Sequence, residues 1–431
     1  MKRVERPNWA SLLVAASFAA GLTAPAAATA DDSRLQWVRQ LGSDQEDRAK
    51  GVATDAAGNV YVAGETDGDL GGPNQGFTDA WLAKVDAANQ VIWKRQLGSN
   101  TYDGVGGVAT SADGSVYVAG LTYGALAGPN QGGRDTWIAR YDAAGQRAWK
   151  RQLGSSGNDD ANGVATDTIG NVYLAGQTSG ALAGPNQGGD DAWVAKYDAT
   201  GRRVWKRQLG SSNNDGALAV ATDIANNVYV SGYTYGALAG ANQGGLDAWV
   251  AKYDAEGRRI WMRQLGSVSD DHASGVATGV DAAGNVEVYL TGDTYGDLGG
   301  PNQGSFDVWM ARYDAGGRRI WERHLGTDVE DYAYGVTTDA AGNAYLTGYT
   351  KGALVGPKQG SVDAWVAKYD AGGHRLWSEQ LGAPVVAAYA VATASYGNVA
   401  DVYIAGETPS ALCGDSRGGA DAFIAKFSPR P

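Results

Sequence analysis

Polar and apolar positions along this chain alternate in short runs, and the same four runs keep returning. In the first copy they are GVATD at 51–55, VYVAGET at 60–66, DAWLAKVD at 79–86 and VIWKRQLG at 91–98. Each is short, rich in Val, Tyr, Trp and Thr, and bounded by Gly, Asn or Asp, which predicts strands and not helices. DAAGN joins the first run to the second, and AANQ joins the third to the fourth. Both are short hairpin turns, with an Asp or Asn to accept from nearby backbone or a Gly to take positive φ. No segment beyond the first thirty residues shows convincing helical periodicity.

The recurrence has a fixed period. Trp37, Trp93, Trp149, Trp205, Trp261, Trp321 and Trp377 are spaced 56, 56, 56, 56, 60 and 56 residues apart. A second series runs Trp81, Trp137, Trp193, Trp249, Trp309 and Trp365, and ends in Phe423. A repeat of this size means a stacked array or a closed propeller. Composition orders the strands. The first run is small and uncharged, suited to a crowded centre, while the fourth carries Lys and Arg, suited to a solvent-facing outer edge. The Trp residues and the Tyr series from Tyr61 to Tyr403 are expected to pack between blades. Phase then closes the ring. The repeats begin with a fourth-strand sequence, LQWVRQLG at 35–42, and end with a third-strand sequence, DAFIAKF at 421–427. Pairing the two removes both open ends. The expectation is all-β: a closed seven-bladed β-propeller of four-stranded antiparallel blades at 31–431, its last blade completed by the N-terminal strand.

The motif W-x-R-Q-L-G, then an Asp, then G-V-A-T-D-x-x-G-N-V-Y-V-x-G-x-T, then D-A-W-x-A-K-Y-D resembles the bacterial SBBP β-propeller repeat family. The resemblance extends over essentially the whole repeat region. It implies an exported propeller of the binding type and brings no common catalytic residues. YDATGRRVW at 197–205 is also similar to quinoprotein-type repeats, from which the long approach GALAGPNQGGDDAW departs.

Charge and the N-terminus narrow the setting. The net charge is −12, and residues 1–30 are themselves basic, so the remainder is more acidic still. That argues against nucleic acid and anionic membrane as partners. MKRVER, a short apolar run and a small-x-small site at Ala28-Thr29-Ala30 read as a signal peptide over 1–30. A secreted, periplasmic or cell-surface protein is expected, with no membrane span in the mature chain. Cys413, the single cysteine, stands where other copies have Ala127 or Ala183, and is expected to be a small buried filler.

Candidate chemistry is sparse. His272, His324 and His374 are isolated variants of positions that are not His elsewhere, expected to be solitary, and no zinc spacing or phosphate loop is present. No catalytic residue, metal or cofactor is expected. The strand 2–3 loop (TYGALAGPNQGGRD at 122–135) and the strand 4–1 link (GSNTYDG at 98–104) must share one face, because strands alternate in direction. The loop is longer than a turn needs, and loops of that kind often carry function. Its amides, Asn130-Gln131, Asn186-Gln187, Asn242-Gln243 and Asn302-Gln303, lie near Tyr123, Tyr235 and Tyr295. These residues are the candidate ligand-binding set for a protein or glycan, although turn chemistry alone also accounts for Asn and Pro there. The seventh copy, SALCGDSRGG at 410–419, lacks the Asn-Gln pair and is expected to be silent. Two Asp series fit loop capping better than calcium: Asp79 and its equivalents opening the third strand, and Asp47 and its equivalents in the link. Arg202-Arg203, Arg258-Arg259 and Arg318-Arg319 fall on the opposite face, predicting one acidic and one more basic face. The expected function is non-catalytic binding or scaffolding. A multivalent lectin-like glycan binder and an envelope propeller enzyme, quinoprotein-like or polysaccharide-cleaving, are the alternatives.

Overall fold

The computed structural model describes residues 34–397, 399–414 and 416–428. The signal-peptide reading on 1–30 lies outside the described residues. Among them, the strands form seven four-stranded antiparallel sheets. The four strands of a blade pair in chain order, as in Asp47–Thr54, Val60–Thr66, Asp79–Val85 and Val91–Leu97. We number the blades I (47–97), II (103–153), III (159–209), IV (215–265), V (271–325), VI (331–382) and VII (387–427 with 35–41). Blade VII is closed as expected. Leu35–Leu41 pairs antiparallel with Asp421–Phe427, Val38 opposite Ala425 and Leu41 opposite Ala422.

First strands pack against first strands of both neighbours, so they surround the axis. A circle of threonines joins them. Thr54 donates its hydroxyl to the Thr393 carbonyl at 2.6 Å, and Thr110 donates to the Thr54 carbonyl at 2.6 Å. Thr166, Thr222, Thr278, Thr338 and Thr393 continue the series until it returns on itself. This end of the axis opens on the hairpin face as a cavity of about 450 Å³ lined by Thr166, Thr222, Thr278 and Thr338.

The core lies between sheets, as the aromatic series predicted. Trp81 of blade I packs with Tyr403 and Ile424 of blade VII, and Trp137 of blade II with Tyr61 and Leu82 of blade I. Burying such a ring contributes roughly 1.5–3 kcal/mol. Its indole N–H must then find an acceptor. Trp81 donates to the Glu65 carbonyl at 3.0 Å.

The fourth strand meets expectation in part: its Trp packs against the next blade, as the aromatic series predicts, whereas its Arg, expected to face solvent, crosses to that blade too. Trp149 Nε1 donates to the Ala199 carbonyl at 2.9 Å, and Arg151 Nε to the Gly201 carbonyl at 3.1 Å. Arg151 also lies 5.5 Å from the Trp149 ring centre. Gly201 has φ +78°, and a Cβ there would stand 2.8 Å from the Trp149 ring. The strand's outer edge is thus an inter-blade clasp.

The 60-residue spacing has a structural cause in blade V, where Gly275–Val280 and Val286–Thr294 form a longer hairpin. In blades I, III, IV and VI the Asp of this turn accepts from the Tyr hydroxyl of the second strand, as Asp167 does for Tyr173 at 3.0 Å. In blade V, buried Glu287 does so for Tyr289 at 2.6 Å and also takes Arg312.

Candidate binding site around the axis on the long-loop face

The strand 2–3 loops and 4–1 links share a face, and both Asp series cap them. Asp135 accepts from the Gln131 backbone N–H at 2.9 Å and from Gln152 Nε2 at 2.8 Å. Gln152 Oε1 also accepts from the Ala127 N–H, and its Nε2 donates to the Gly124 carbonyl. The Gln of RQLG therefore staples the long loop, a role the sequence reading missed because it treated that Gln only as strand. The following Gly makes room for the carboxylate. A Cβ on Gly154 would lie 2.1 Å from Asp135 Oδ1. In the link, Asp103 accepts from the Ser99 N–H at 2.5 Å and from the Thr122 hydroxyl at 2.5 Å. Burial pushes Asp47, Asp103, Asp159, Asp215 and Asp331 up despite these bonds, and Asp271 to about 6. In blade VII, Ala387 is five residues past the Gly but pairs with Glu407, the register of Arg48 with Glu65. Val386 therefore occupies the Asp position, because that link is one residue shorter.

The amide candidates divide. Asn130 Oδ1 accepts from the Gly132 N–H, and its Nδ2 donates to the Gly133 and Tyr123 carbonyls. Asn186, Asn242 and Asn302 close the same turn, donating to the carbonyls of Gly189, Gly245 and Ser305. Turn chemistry accounts for all four. Gln131, Gln187, Gln243 and Gln303 use their backbone N–H groups on the Asp caps and expose their side chains. Tyr123, Tyr235 and Tyr295 are 50%, 38% and 49% exposed. They belong to different blades, each following the end of a second strand, so the structure spreads this set around the face and does not gather it into one pocket.

What does converge is a set of inner positions at which the copies differ. The first-strand residue after the capping Asp is Arg48, Gly104, Asp160, Gly216, His272, Tyr332 or, by register, Ala387. Two residues on stands the extra residue of a β-bulge: Lys50, Gly106, Asn162, Leu218, Tyr334 or Tyr389, with Ser274 at the same place in blade V. The facing second-strand position holds Glu65, Leu121, Gln177, Tyr233, Asp293, Tyr349 or Glu407. All lie at the start of first strands or the end of second strands, on the long-loop face next to the axis. A bulge re-aims its extra side chain. Identical scaffolding with different residues at three adjacent positions is the signature that copy-by-copy comparison of the sequence contained.

These residues join across blades. Arg48 pairs with Glu46 and, at 2.9 Å, with Glu407, which accepts from the Tyr389 hydroxyl at 2.6 Å. Arg134 pairs with Asp160 at 2.8 Å. Burial pushes Asp160 up to about 6, against the pull of Arg134 and Gln177. The Tyr233 hydroxyl donates to Gln177 at 3.0 Å, and its ring meets His272 edge-on at 5.8 Å. His272 is buried and bonds Asp293 at 2.8 Å. It is not solitary, and neither is His324, whose Nε2 bonds Asp307 at 2.7 Å in place of the stapling Gln. His374 is exposed and pairs with Asp370. Cys413 is half-buried, not buried as expected, with its backbone N–H on Gln40. Among the described residues, no three acidic, His or Cys side chains are grouped to hold a metal, and no helix is long and apolar enough to cross a membrane. The hairpin arginines lie on the opposite face but are met by their own turns: Arg202 pairs with Asp198, Arg258 with Asp254 and Arg318 with Asp314.

Comparison with known proteins agrees with this architecture. The chain is 27% identical over 288 residues to the regulatory protein FlaEY of Caulobacter vibrioides, covering 58% of this chain and 30% of that protein. It is 20% identical over 269 residues to the uncharacterized WD repeat-containing protein L264 of Acanthamoeba polyphaga mimivirus, covering 56% of this chain and 17% of that protein. The chain thus spans less than a third of either relative. Solved structures of U3-55K and of the RRP9 WD40 repeats superpose with TM-scores of 0.53 at 10% identity. They cover 90% of this chain and 98% and 97% of theirs, a likeness of fold. The SBBP beta-propeller repeat model matches residues 36–71, 148–182, 204–238 and 320–354, each match running from a fourth strand across the blade boundary into the next long loop. The molecule is a seven-bladed propeller that carries SBBP repeats at four places in its chain.

Proposed function

We propose that this propeller is an exported, non-catalytic binding module whose ligand seats around the axis on the long-loop face. The observation that carries this reading is the concentration of blade-to-blade differences at the three inner positions. Arg48, Asp160 and Tyr233 tie neighbouring blades together, yet blade II folds with Gly104 and Gly106 at the corresponding first-strand places, so closure of a blade does not require such side chains there. A site made of seven equal copies would not need them either. Support for an interaction role also comes from the relatives, one named as a regulatory protein and one as a WD-repeat protein. The basic n-region, apolar run and Ala-Thr-Ala site at residues 1–30 support export.

A peptide library and a glycan array probed with the mature chain test the reading. Any ligand found should be weakened at least tenfold by Tyr334→Gly or Asp160→Ala. It should be unaffected by Ile224→Ala on the hairpin face. A ligand lost with Ile224→Ala and retained by the two axial variants overturns the assignment.

A further inference from the structure

Resting on that reading, we infer that the sector of the axial face spanning blades V to VII takes a basic peptide segment, its ammonium or guanidinium groups seated against tyrosine rings. Tyr332, Tyr334, Tyr349 and Tyr389 form one wall. Ring centres are 4.9 Å apart for Tyr332–Tyr349, 5.8 Å for Tyr334–Tyr349 and 5.6 Å for Tyr334–Tyr389. Phe306, 5.3 Å from Tyr332, and Tyr295, 5.2 Å from Phe306, continue the wall. Tyr332, Tyr334 and Tyr389 keep part of their surface in solvent. Closure of a blade does not require them, since blade II has Gly104 and Gly106 at the corresponding places.

Two observations point to a cation. The first is geometric. A ring face attracts positive charge, and the protein already uses this wall so: Lys50 Nζ reaches from blade I to 5.0 Å from the Tyr389 ring centre. Arg134 lies similarly over Tyr123, at 5.9 Å on the same face. The second is the field. Asp270, Asp297 and Asp328 stand on the loops and links around the wall, and the chain carries −12 overall; Glu330 and Glu407 nearby are already met by Lys351 at 3.2 Å and Arg48 at 2.9 Å, so the field rests on the three Asp. Negative potential steers a basic segment to the face and repels an acidic one. A neutral sugar could stack on the rings but would gain nothing from the field.

Fluorescence anisotropy with a labelled ten-residue alternating Lys-Gly peptide tests the inference. A Glu-Gly peptide serves as labelled comparison and cellotetraose as unlabelled competitor. The Lys peptide should bind at least tenfold more tightly than the Glu peptide, and resist cellotetraose. Its affinity should fall at least tenfold in the Tyr334→Gly/Tyr389→Ala double variant but be retained when both are Phe. Thermal melts verify that each variant is folded, and the Phe pair separates loss of rings from loss of hydroxyls. Equal binding of both peptides, or Lys-peptide binding unchanged in the double variant, overturns the inference. If cellotetraose or the Glu peptide binds instead and the double variant abolishes it, the ligand class falls while the axial site stands. If the Lys peptide is lost with Ile224→Ala alone, both fall.

Discussion

The two ends of the propeller are built from the same strands and treated differently. On the hairpin face, turns recur with little change. Asp55, Asp167, Asp223 and Asp339 each accept from an Asn four residues on and from the Tyr two further along. On the long-loop face the caps recur with two exceptions, Val386 for the link Asp in blade VII and His324 for the stapling Gln in blade V, while the residues they frame at the axis differ in each blade. A carboxylate that holds a loop leaves backbone donors unmet when it is removed. A side chain on a bulge can differ from blade to blade, as Lys50, Gly106 and Tyr334 do. Regularity here marks what folding requires, and difference marks what is left to recognition.

The contrast can be tested by breaking each part in turn. Removing residues 35–41 should have the largest effect. It strips blade VII of its outer strand, exposes the edge of Asp421–Phe427, and should cost more than about 4 kcal/mol. Calorimetry would show a large fall in Tm, and light scattering an open edge that associates. A deletion melting with the intact protein would refute closure. Asp247→Ala comes next. It leaves the Gln243 N–H and Gln264 Nε2 without their acceptor, at a cost of about 1–3 kcal/mol by denaturant unfolding.

pH should act on the blade V cap and on the inner site. Burial raises Asp271 and Asp160 to about 6, so each binds its proton more tightly folded than unfolded. Their contribution to stability is present below the ordinary Asp value and is lost as pH rises through 6. Between pH 5 and 7.5 that is on the order of 1 kcal/mol for each. The hairpin carboxylates run the other way. Burial would raise Asp55 and Asp339, but hydrogen bonds from Asn59 and Asn343 hold both below the usual range, so what they contribute is lost only on acidification below it. Urea unfolding should therefore lose stability from pH 5 to 7.5 more steeply in the natural protein than in Asp271→Asn. Identical slopes would count against a proton held by the cap. The smallest effect belongs to the long loops. Gln131→Ala and Gln187→Ala should each change stability by less than about 0.5 kcal/mol, because their side chains are largely exposed.

Fold and phase were legible because they are written in periodicity. The Trp spacing gave the blade count, and the fourth-strand sequence at 35–42 gave the closure. The face was legible from strand alternation. The site within it was not, for two reasons. Turn chemistry and ligand donation are both open readings of Asn130 and its equivalents, and their bonds to Gly132 and Gly133 show the turn. Tyr332, Tyr334 and Tyr389 look like strand aromatics, and nothing local says that bulges carry two of them, Tyr334 and Tyr389. The reach of Arg151 to the neighbouring blade was hidden likewise, since nothing within one repeat names its neighbour.

The threonine circle has a consequence for how such a chain can change through descent. Nearly identical 56-residue units invite unequal recombination, and an exchange in register would add or drop a whole unit while preserving strand phase and the closing pair. Local blade structure would register no error. The circle would, because a hydroxyl reaching 2.6–2.8 Å to the next carbonyl fixes the circumference that seven inner strands can enclose. A six- or eight-membered descendant would have to redraw the angle between every pair of sheets to keep it. The central ring thus ties the number of units to a geometry repeated at every blade boundary, while the residues around the other end of the axis diverge from copy to copy.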